Sequence, residues 1–147
     1  MIICPGAKHV ISYKRQLKPQ LEKLDIHGVD YIFNGYDTSV YLDQYVEIIN
    51  HYGKIVSIVN NNQPLNLGPL MMKRVSFSWE LMFTRALVGG EDMINQHYIL
   101  DTLAQLVECG LIRVKIDQQL HFNVANLRSA HQMIEGGHTH GKIVLFR

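Results

Sequence analysis

Strand-like and helix-like segments alternate along the first sixty residues of this chain. Apolar runs rich in branched and aromatic residues, typical of strands, occupy residues 8–13, 29–33 and 54–59. Between them, residues 16–24 and 39–50 carry apolar side chains at helical spacing. The unbroken run 29–33 favours a strand that is buried on both faces. Strands separated by single helices are typical of parallel βαβ units, so the sequence predicts an α/β fold.

The remainder of the chain continues the same pattern less regularly. Residues 74–79 alternate between apolar and polar side chains, which favours a strand near the edge of the sheet. A helix with one apolar face is predicted over residues 92–108, and a solvated strand over residues 112–116. A last helix at 124–135 and a last strand at 142–146 complete one domain that spans all 147 residues.

The charge balance excludes several classes of partner. Lys and Arg number 14 against 13 Asp and Glu, a net charge of +1, and nucleic acids and anionic membranes require a clustered cationic excess. Residues 1–5 are too short for a signal-peptide core, and no apolar run reaches the roughly 18 residues of a membrane span. We therefore expect no nucleic acid, no membrane and a cytoplasmic location. The two cysteines, Cys4 and Cys109, are interpreted as buried or incidental thiols.

Several motifs of known chemistry are missing from the sequence. There is no Gly-x-Gly-x-x-Gly, no Walker motif and no Gly-x-Ser-x-Gly, so neither a phosphate cradle nor a covalent nucleophile is predicted. His138 and His140 would share one face of a strand, but no third ligand is near and the segment is flanked by glycines. A solvated turn is the favoured interpretation, and we predict no metal and no catalytic residue.

Topology alone indicates where a ligand would bind. In open parallel sheets, ligands lie outside the carboxyl ends of the strands. This rule favours Tyr13, residues 34–38, Val59, Asn60 and Trp79 as the lining of a crevice. On the same evidence, Tyr13 and Trp79 are equally well explained as packed aromatic side chains.

Four segments together resemble a known family. Residues 6–13, 28–33, 53–58 and 141–145, in this order and spacing, resemble the C-terminal half of a medium-chain dehydrogenase/reductase of the quinone oxidoreductase type, often labelled zinc-binding alcohol dehydrogenase. Residues 76–85 and 126–131 are similar to one subgroup of that family. The resemblance extends over nearly all 147 residues.

The resemblance implies a partial Rossmann-like domain. A parallel sheet flanked by helices would hold the third to sixth strands of the family's nucleotide-binding domain, followed by a C-terminal helix and strand. The first two strands, the glycine-rich turn, the GroES-like catalytic domain and the zinc ligands would belong to residues that this sequence does not hold. The implied activity is NADPH-dependent transfer of hydride to a small quinone, enone or related carbonyl compound. We expect this chain alone not to be catalytic.

The resemblance also implies positions that contact the cofactor. Tyr13 would lie near the adenosine 2′-phosphate, and Thr38 would supply a polar contact after the fourth strand. The positions at the ends of the fifth and sixth strands, which face the nicotinamide, are Val56, Ser57, Ile58, Val59, Ser78, Trp79 and Glu80. Val59 and Trp79 stand where the family commonly has glycine, which reduces the room for a cofactor.

A second hypothesis comes from a different class of protein. In the family resembled here, the sixth strand pairs with its mate across a two-fold axis. The strand edge between Val75 and Trp79, flanked by apolar residues 81–83, would then form a homodimer interface. A non-catalytic, dimerising α/β interaction module is the alternative to an oxidoreductase fragment.

Overall fold

The computed structural model describes residues 6–147, so Cys4 lies outside the described residues. The chain divides into two compact units, Met1–Gly90 and Glu91–Arg147. Cys109 is an exposed free thiol of the second unit. Within residues 6–147, no helix has the length and hydropathy that crossing a bilayer requires. The single domain and the cytoplasmic location expected from the sequence stay predictions.

The first unit is an α/β arrangement around a three-stranded parallel sheet. Its strands lie in the order β1-β2-β3, so β3 is at an edge, as its alternating sequence predicts. The elements, in chain order, are α1 (Leu17–Glu22), β1 (Val29–Asn34), α2 (Thr38–Ile48), β2 (Ile49–Ser57), α3 (Gly68–Met72), β3 (Ser76–Trp79) and α4 (Thr84–Val88).

The core of this unit lies between α2 and one face of the sheet. Ile55, in the central strand, is fully buried, and burying a side chain of this size stabilises a fold by about 1.5–3 kcal/mol. The buried apolar residues that form the cluster are Leu42, Tyr45, Ile48, Ile49, Ile55 and Leu70. The cluster fixes α2 against β2, and so fixes the loop at the start of α2 relative to the strand ends.

Lys73 connects the end of α2 with the segment before β3. Its ammonium group donates hydrogen bonds to the carbonyl oxygens of Val46, at 2.6 Å, and Ile49, at 2.8 Å. These carbonyls belong to the last turn and the C-cap of α2, where the helix dipole favours a positive charge. The lysine therefore satisfies two helix-end acceptors with one side chain.

The strand predicted at residues 8–13 is wrong. These residues form turns and irregular backbone, and the polar groups of Ser12 are paired with a side chain instead. The Ser12 amide donates to Gln20 Oε1 at 2.9 Å, and Gln20 Nε2 donates to the Ser12 carbonyl at 2.9 Å. Residues 8–13 pair with no strand of the described three-stranded sheet, and Gln20 in α1 satisfies the backbone amide and carbonyl of Ser12.

The prediction that β1 is buried on both faces is also wrong. Tyr31 and Phe33 are 74% and 72% exposed. Side chains alternate along a strand, and the helix layer covers the face that bears Ile32 and Ile55. The apolar run therefore reflects one covered face and one face of exposed aromatic side chains.

The second unit contains a two-stranded parallel sheet. A 3₁₀ turn (Glu91–Met93) precedes α5 (Ile94–Glu108), and β4 (Ile116–His121), α6 (Val124–Glu135) and β5 (Lys142–Phe146) follow. The predicted bounds of the last helix and the last strand are confirmed. The Asn123 side chain caps α6 by accepting a hydrogen bond from the Asn126 amide at 2.8 Å.

The solvated strand predicted at residues 112–116 is wrong, because the strand lies further along the chain. β4 begins at Ile116, which pairs with Lys142 at the start of β5. The Lys142 amide donates to the Lys115 carbonyl at 2.9 Å, so β5 provides no partner for residues 112–114. Alternation in the sequence detects a strand-like segment, but the register is set by the partner strand.

Candidate functional site

The carboxyl ends of the three strands of the first unit meet at one edge of the sheet. The register pairs Asn34 of β1 with Ser57 of β2, and Ser57 with Trp79 of β3. The Ile58 amide donates to the Asn34 carbonyl at 3.1 Å, and the Glu80 amide donates to the Ser57 carbonyl at 2.9 Å. These two bonds continue the ladder one residue beyond the strands, so three loops begin from a fixed edge.

A buried polar network lies beneath this edge. Asn34 is 2% exposed, and Thr38 and Ser57 are fully buried. Asn34 Nδ2 donates to Thr38 Oγ1 at 2.9 Å and contacts Ser57 Oγ at 3.2 Å, while Tyr45 Oη donates to Asn34 Oδ1 at 2.7 Å. Buried polar groups are stable only when they are paired, and here each one has a partner.

The direction of the hydroxyl protons in this network follows from its last acceptor. Ser57 Oγ donates to the carbonyl oxygen of Val59 at 3.2 Å, which uses the only hydroxyl proton of Ser57. The Thr38 hydroxyl, 2.9 Å from Ser57 Oγ, is then the donor between the two, and it accepts from Asn34. Donation therefore has one direction along the network: Tyr45 donates to Asn34, Asn34 to Thr38, Thr38 to Ser57, and Ser57 to the loop after β2.

Tyr45 is a neutral donor in this network. Burial raises the pKa of its phenol above the usual value, and the nearby Tyr41 phenol adds to the rise. The two rings are stacked with their centroids 6.1 Å apart. Because the phenol keeps its proton at neutral pH, the hydrogen bond to Asn34 has a fixed direction.

Asp37 connects the loop after β1 with the loop after β2. Its carboxylate caps α2 by accepting from the Ser39 amide at 2.9 Å and the Ser39 hydroxyl at 2.6 Å. The second carboxylate oxygen accepts from Asn62 Nδ2 at 2.7 Å. These hydrogen bonds, first of all that from the Ser39 hydroxyl, lower the pKa of Asp37 below its usual value.

We expect the bridge between Asp37 and Asn62 to open in acid. A carboxyl group whose pKa is lowered on folding stabilises the fold above its unfolded pKa, about 3.9, and this contribution is lost as the pH falls through the lower folded value. Nuclear magnetic resonance of the Asn62 side-chain amide should follow the change between pH 5 and pH 2.5. Asp37→Asn should abolish this response, whereas Asp43→Asn, on the exposed side of α2, should retain it. A response that survives in Asp37→Asn would contradict the assignment.

The structure brings two of the predicted site residues together. Thr38 and Ser57 are in direct hydrogen-bond contact, but their hydroxyls are satisfied by other protein atoms and are closed to solvent. Val56 lies between buried neighbours in β2 and is half-buried, while Val59 offers its carbonyl to Ser57. Through their contacts, Thr38, Ser57 and Val59 fix the strand ends and the loop after β2.

The other predicted site residues are exposed. Ile58 is 44% exposed, Trp79 is 53% exposed, and Ser78 and Glu80 are also open to solvent. The Trp79 ring lies edge-on to Phe77, with centroids 5.0 Å apart, so it is packed on one side and open on the other. Tyr13 lies in the turn before α1, is 67% exposed and takes no part in the buried network.

Sequence reasoning missed the roles of two residues of the network. It placed Asn34 in a crevice loop, with no indication of its three side-chain partners, and it placed Tyr45 on the apolar face of a helix. The only available signal was an amide residue directly after the apolar run 29–33. A buried amide at a strand end needs partners, but the sequence does not say which residues supply them.

The histidines of the second unit do not form a metal site. His138 Nδ1 contacts the Gly136 carbonyl within its own turn. Within residues 6–147, no group of three or more His, Cys, Asp or Glu side chains is placed to hold a metal ion.

A comparison with protein families identifies the relationship. The family described as zinc-binding dehydrogenase matches residues 5–145 of this sequence. The chain belongs to the zinc-binding dehydrogenase family. This confirms the resemblance to the C-terminal part of medium-chain dehydrogenases. The described residues do not themselves provide a set of zinc ligands, so the metal in the family's name has no site among them.

Relatives and solved structures agree with this membership. Zinc-type alcohol dehydrogenase-like proteins of Staphylococcus aureus and Staphylococcus epidermidis are each 34% identical to this family member over 141 residues, which cover 95% of the chain. A Rhizobium etli structure, provisionally named a zinc-dependent alcohol dehydrogenase, matches with a TM-score of 0.83 and 29% identity over 97% of the chain. A mycobacterial protein solved in complex with NADPH has the same fold, with a TM-score of 0.65, 18% identity and 90% of the chain covered.

The matches cover only part of the relatives. This zinc-binding dehydrogenase chain spans 42% of the length of the staphylococcal proteins and of the Rhizobium structure, and 39% of the mycobacterial one. The chain thus matches part of the length of zinc-type alcohol dehydrogenase-like proteins.

Proposed function

We propose that the first unit provides part of an NADPH site in an oxidoreductase that reduces small quinones, enones or related carbonyl compounds. One observation carries the proposal: the carboxyl ends of β1, β2 and β3 meet at one edge and are joined by the buried network of Asn34, Thr38 and Ser57. Ligands of open parallel sheets bind outside this edge. A dinucleotide cofactor in a related mycobacterial protein supports the choice of ligand.

The predicted cofactor residues divide into two roles in this proposal. The buried hydroxyls of Thr38 and Ser57 hold the strand ends and do not reach the ligand. The exposed positions, which are open to contact, are Ile58, Ser78, Trp79 and Glu80, with Tyr13 proposed for the 2′-phosphate. NADPH would supply the hydride. At position 79, where the family commonly has glycine, the exposed Trp79 ring would pack against the cofactor.

The fit is better for the nicotinamide end than for the phosphates. The strand ends offer exposed apolar and aromatic surface at Ile58 and Trp79. The N-terminus of α2, a common site for phosphate, already binds the Asp37 carboxylate, and the sequence has no glycine-rich turn. We therefore expect weak binding of NADPH and no turnover by this chain alone, since hydride transfer needs both reactants held in contact.

A thermal-shift titration with NADPH, with NADH and without ligand tests the proposal. A weakly bound ligand that binds only the folded state, present at a tenfold excess over its Kd, adds about 1.4 kcal/mol of stability, which raises the Tm of a chain of this size by about 3–6 °C. We expect this rise with NADPH and a smaller one in Trp79→Ala. Tyr13→Ala should weaken NADPH more than NADH. His138→Ala, in the second unit, is the control and should respond like the wild type. A Tm that NADPH leaves unchanged would refute the proposed site.

The dimerising module is a second candidate, favoured by the edge position of β3. Among the described residues, this strand pairs only with β2, on one of its two sides, and apolar side chains are exposed along and beyond it. At the end of β3 and directly after it, Trp79, Leu81, Met82 and Phe83 are 53%, 50%, 69% and 57% exposed. A second copy that pairs β3 with β3 across a two-fold axis would cover this edge.

Trp79→Asp should convert such a dimer into a monomer, because it introduces a charge into the covered edge. Val40→Asp changes an equally exposed residue on the outer side of α2 and should leave the mass unchanged. Light scattering after size exclusion measures both variants. A wild-type chain that is monomeric at tens of micromolar, or a dimer that tolerates Trp79→Asp, would exclude this interface.

A further inference from the structure

The ring and the hydroxyl of Tyr45 have separate environments: the ring packs in the apolar core, and the hydroxyl makes a hydrogen bond to Asn34. The ring packs in the apolar cluster with Ile48 and Ile55, where phenylalanine would fill the same space. The hydroxyl reaches past this cluster and donates to Asn34 Oδ1 at 2.7 Å. It is the contribution of α2 to the strand-end network, about two turns after Thr38.

This hydrogen bond is one of the contacts that fix which way the Asn34 amide faces, together with those to Tyr36 and Thr38. With Oδ1 towards Tyr45 Oη and the Tyr36 amide, Nδ2 faces Thr38 Oγ1 and the Tyr36 carbonyl. In the reversed orientation, Oδ1 would meet the Tyr36 carbonyl and Nδ2 would meet the Tyr36 amide. Thr38 would also have to turn its proton away from Ser57. The observed orientation is the one in which every hydroxyl proton has an acceptor.

The consequences of this orientation reach the loops. In this orientation Thr38 donates to Ser57, which leaves the Ser57 proton available for the Val59 carbonyl. The backbone of the same residues carries the bonds from the Ile58 amide to Asn34 and from the Glu80 amide to Ser57. Ile58, Val59 and Glu80 are therefore attached, through short polar contacts, to the phenol of α2.

We propose that Tyr45 is a positioning residue, whose hydroxyl holds the loops after β1, β2 and β3 in the arrangement that the proposed cofactor site requires. It acts through Asn34, Thr38 and Ser57 and does not touch the ligand. The proposal rests on the proposed NADPH site for its effect on binding, and on the geometry of the network for its effect on the loops.

Tyr45→Phe removes the hydroxyl and keeps the ring. Losing one neutral hydrogen bond corresponds to about a fivefold to tenfold change in an equilibrium constant. We expect hydrogen exchange of the Ile58 and Glu80 amides to become faster by that factor and the Kd for NADPH to rise by a similar one. Tyr41→Phe makes the same chemical change one turn earlier on α2, at a ring outside the network, and should alter either quantity less than twofold.

A stability-matched variant separates positioning from a general loss of stability. Ile48→Val trims the same apolar cluster without touching a polar group, and it should lower the Tm while leaving the Ile58 and Glu80 amides and the Kd near wild type. Faster exchange of the Ile58 and Glu80 amides in Ile48→Val to the same extent as in Tyr45→Phe, or unchanged exchange in Tyr45→Phe, would overturn the proposal. If the wild-type chain binds no NADPH, the proposed function fails, and the exchange of Ile58 and Glu80 by itself supports or overturns the role of Tyr45.

Discussion

Replacing Asn34 by alanine is expected to lower the free energy of unfolding by about 3 kcal/mol. Asn34 is 2% exposed, and its side chain is the common partner of the Tyr45, Thr38 and Ser57 hydroxyls. Alanine would leave Tyr45 without its acceptor and Thr38 without its donor, both away from water. Each unsatisfied buried polar group costs about 1–3 kcal/mol.

Urea denaturation followed by circular dichroism measures this loss. Asn50→Ala is the matched control, because Asn50 is exposed and, within residues 6–147, its side chain bonds to the exposed Asp30, at 2.8 Å. That variant should stay within about 0.5 kcal/mol of the wild type. A similar midpoint for Asn34→Ala and Asn50→Ala would show that the network contributes little to stability, and would also weaken the role proposed for Tyr45.

Gly141→Ala is expected to separate β4 from β5. Gly141 has φ +135°, where other residues are strained, and a Cβ at this position would lie against the carbonyl oxygen of Lys115 and 3.1 Å from its carbonyl carbon. That carbonyl accepts the Lys142 amide at 2.9 Å at the start of the pairing. Backbone strain and displacement of this backbone contact together should cost roughly 3 kcal/mol or more.

Gly137→Ala provides the comparison within the same connection between α6 and β5. Gly137 also has a positive φ, +68°, but no atom lies within 4 Å of a Cβ built there. It should cost only the strain of a left-handed alanine, about 1 kcal/mol. Hydrogen exchange of the Lys142 amide distinguishes the two, with loss of protection in Gly141→Ala alone. Retained protection in Gly141→Ala would mean that β4 can move aside without losing its partner.

The elements that the sequence predicts well are those with local signals. The helix at 124–135 has an asparagine cap before it and a glycine pair after it, and the strand at 142–146 follows directly on a glycine. Their bounds agree with α6 and β5. Capping, turn residues and periodicity act within a few residues, so a single sequence contains them.

The errors concern elements whose state depends on distant partners. Residues 8–13 have the composition of a strand, yet a strand also needs a neighbour, and Gln20 takes that place. The exposed rings of Tyr31 and Phe33 follow from the absence of a helix layer on that face of the described sheet, which an apolar run cannot reveal.

The candidate site was predictable in place but not in detail. Parallel topology was enough to place the proposed site at the ends of the strands and to include Thr38, whereas Ser57 was indicated only by the family resemblance. Pairing Asn34 with Tyr45, eleven residues apart, requires the rotation of α2 against the sheet. That rotation is set by the packing of Leu42, Ile48 and Ile55, which no short motif encodes.

The chemical reactivity of the Lys73 amine can report whether the segment before β3 is docked on α2. Two of its three ammonium protons are held by the carbonyls of Val46 and Ile49, and the amine is half-buried. Reagents that acylate amines attack the unprotonated, accessible nitrogen, so this lysine is shielded while the segment before β3 is docked on α2. Acylation of Lys73 should therefore become faster when the edge strand β3 leaves its place.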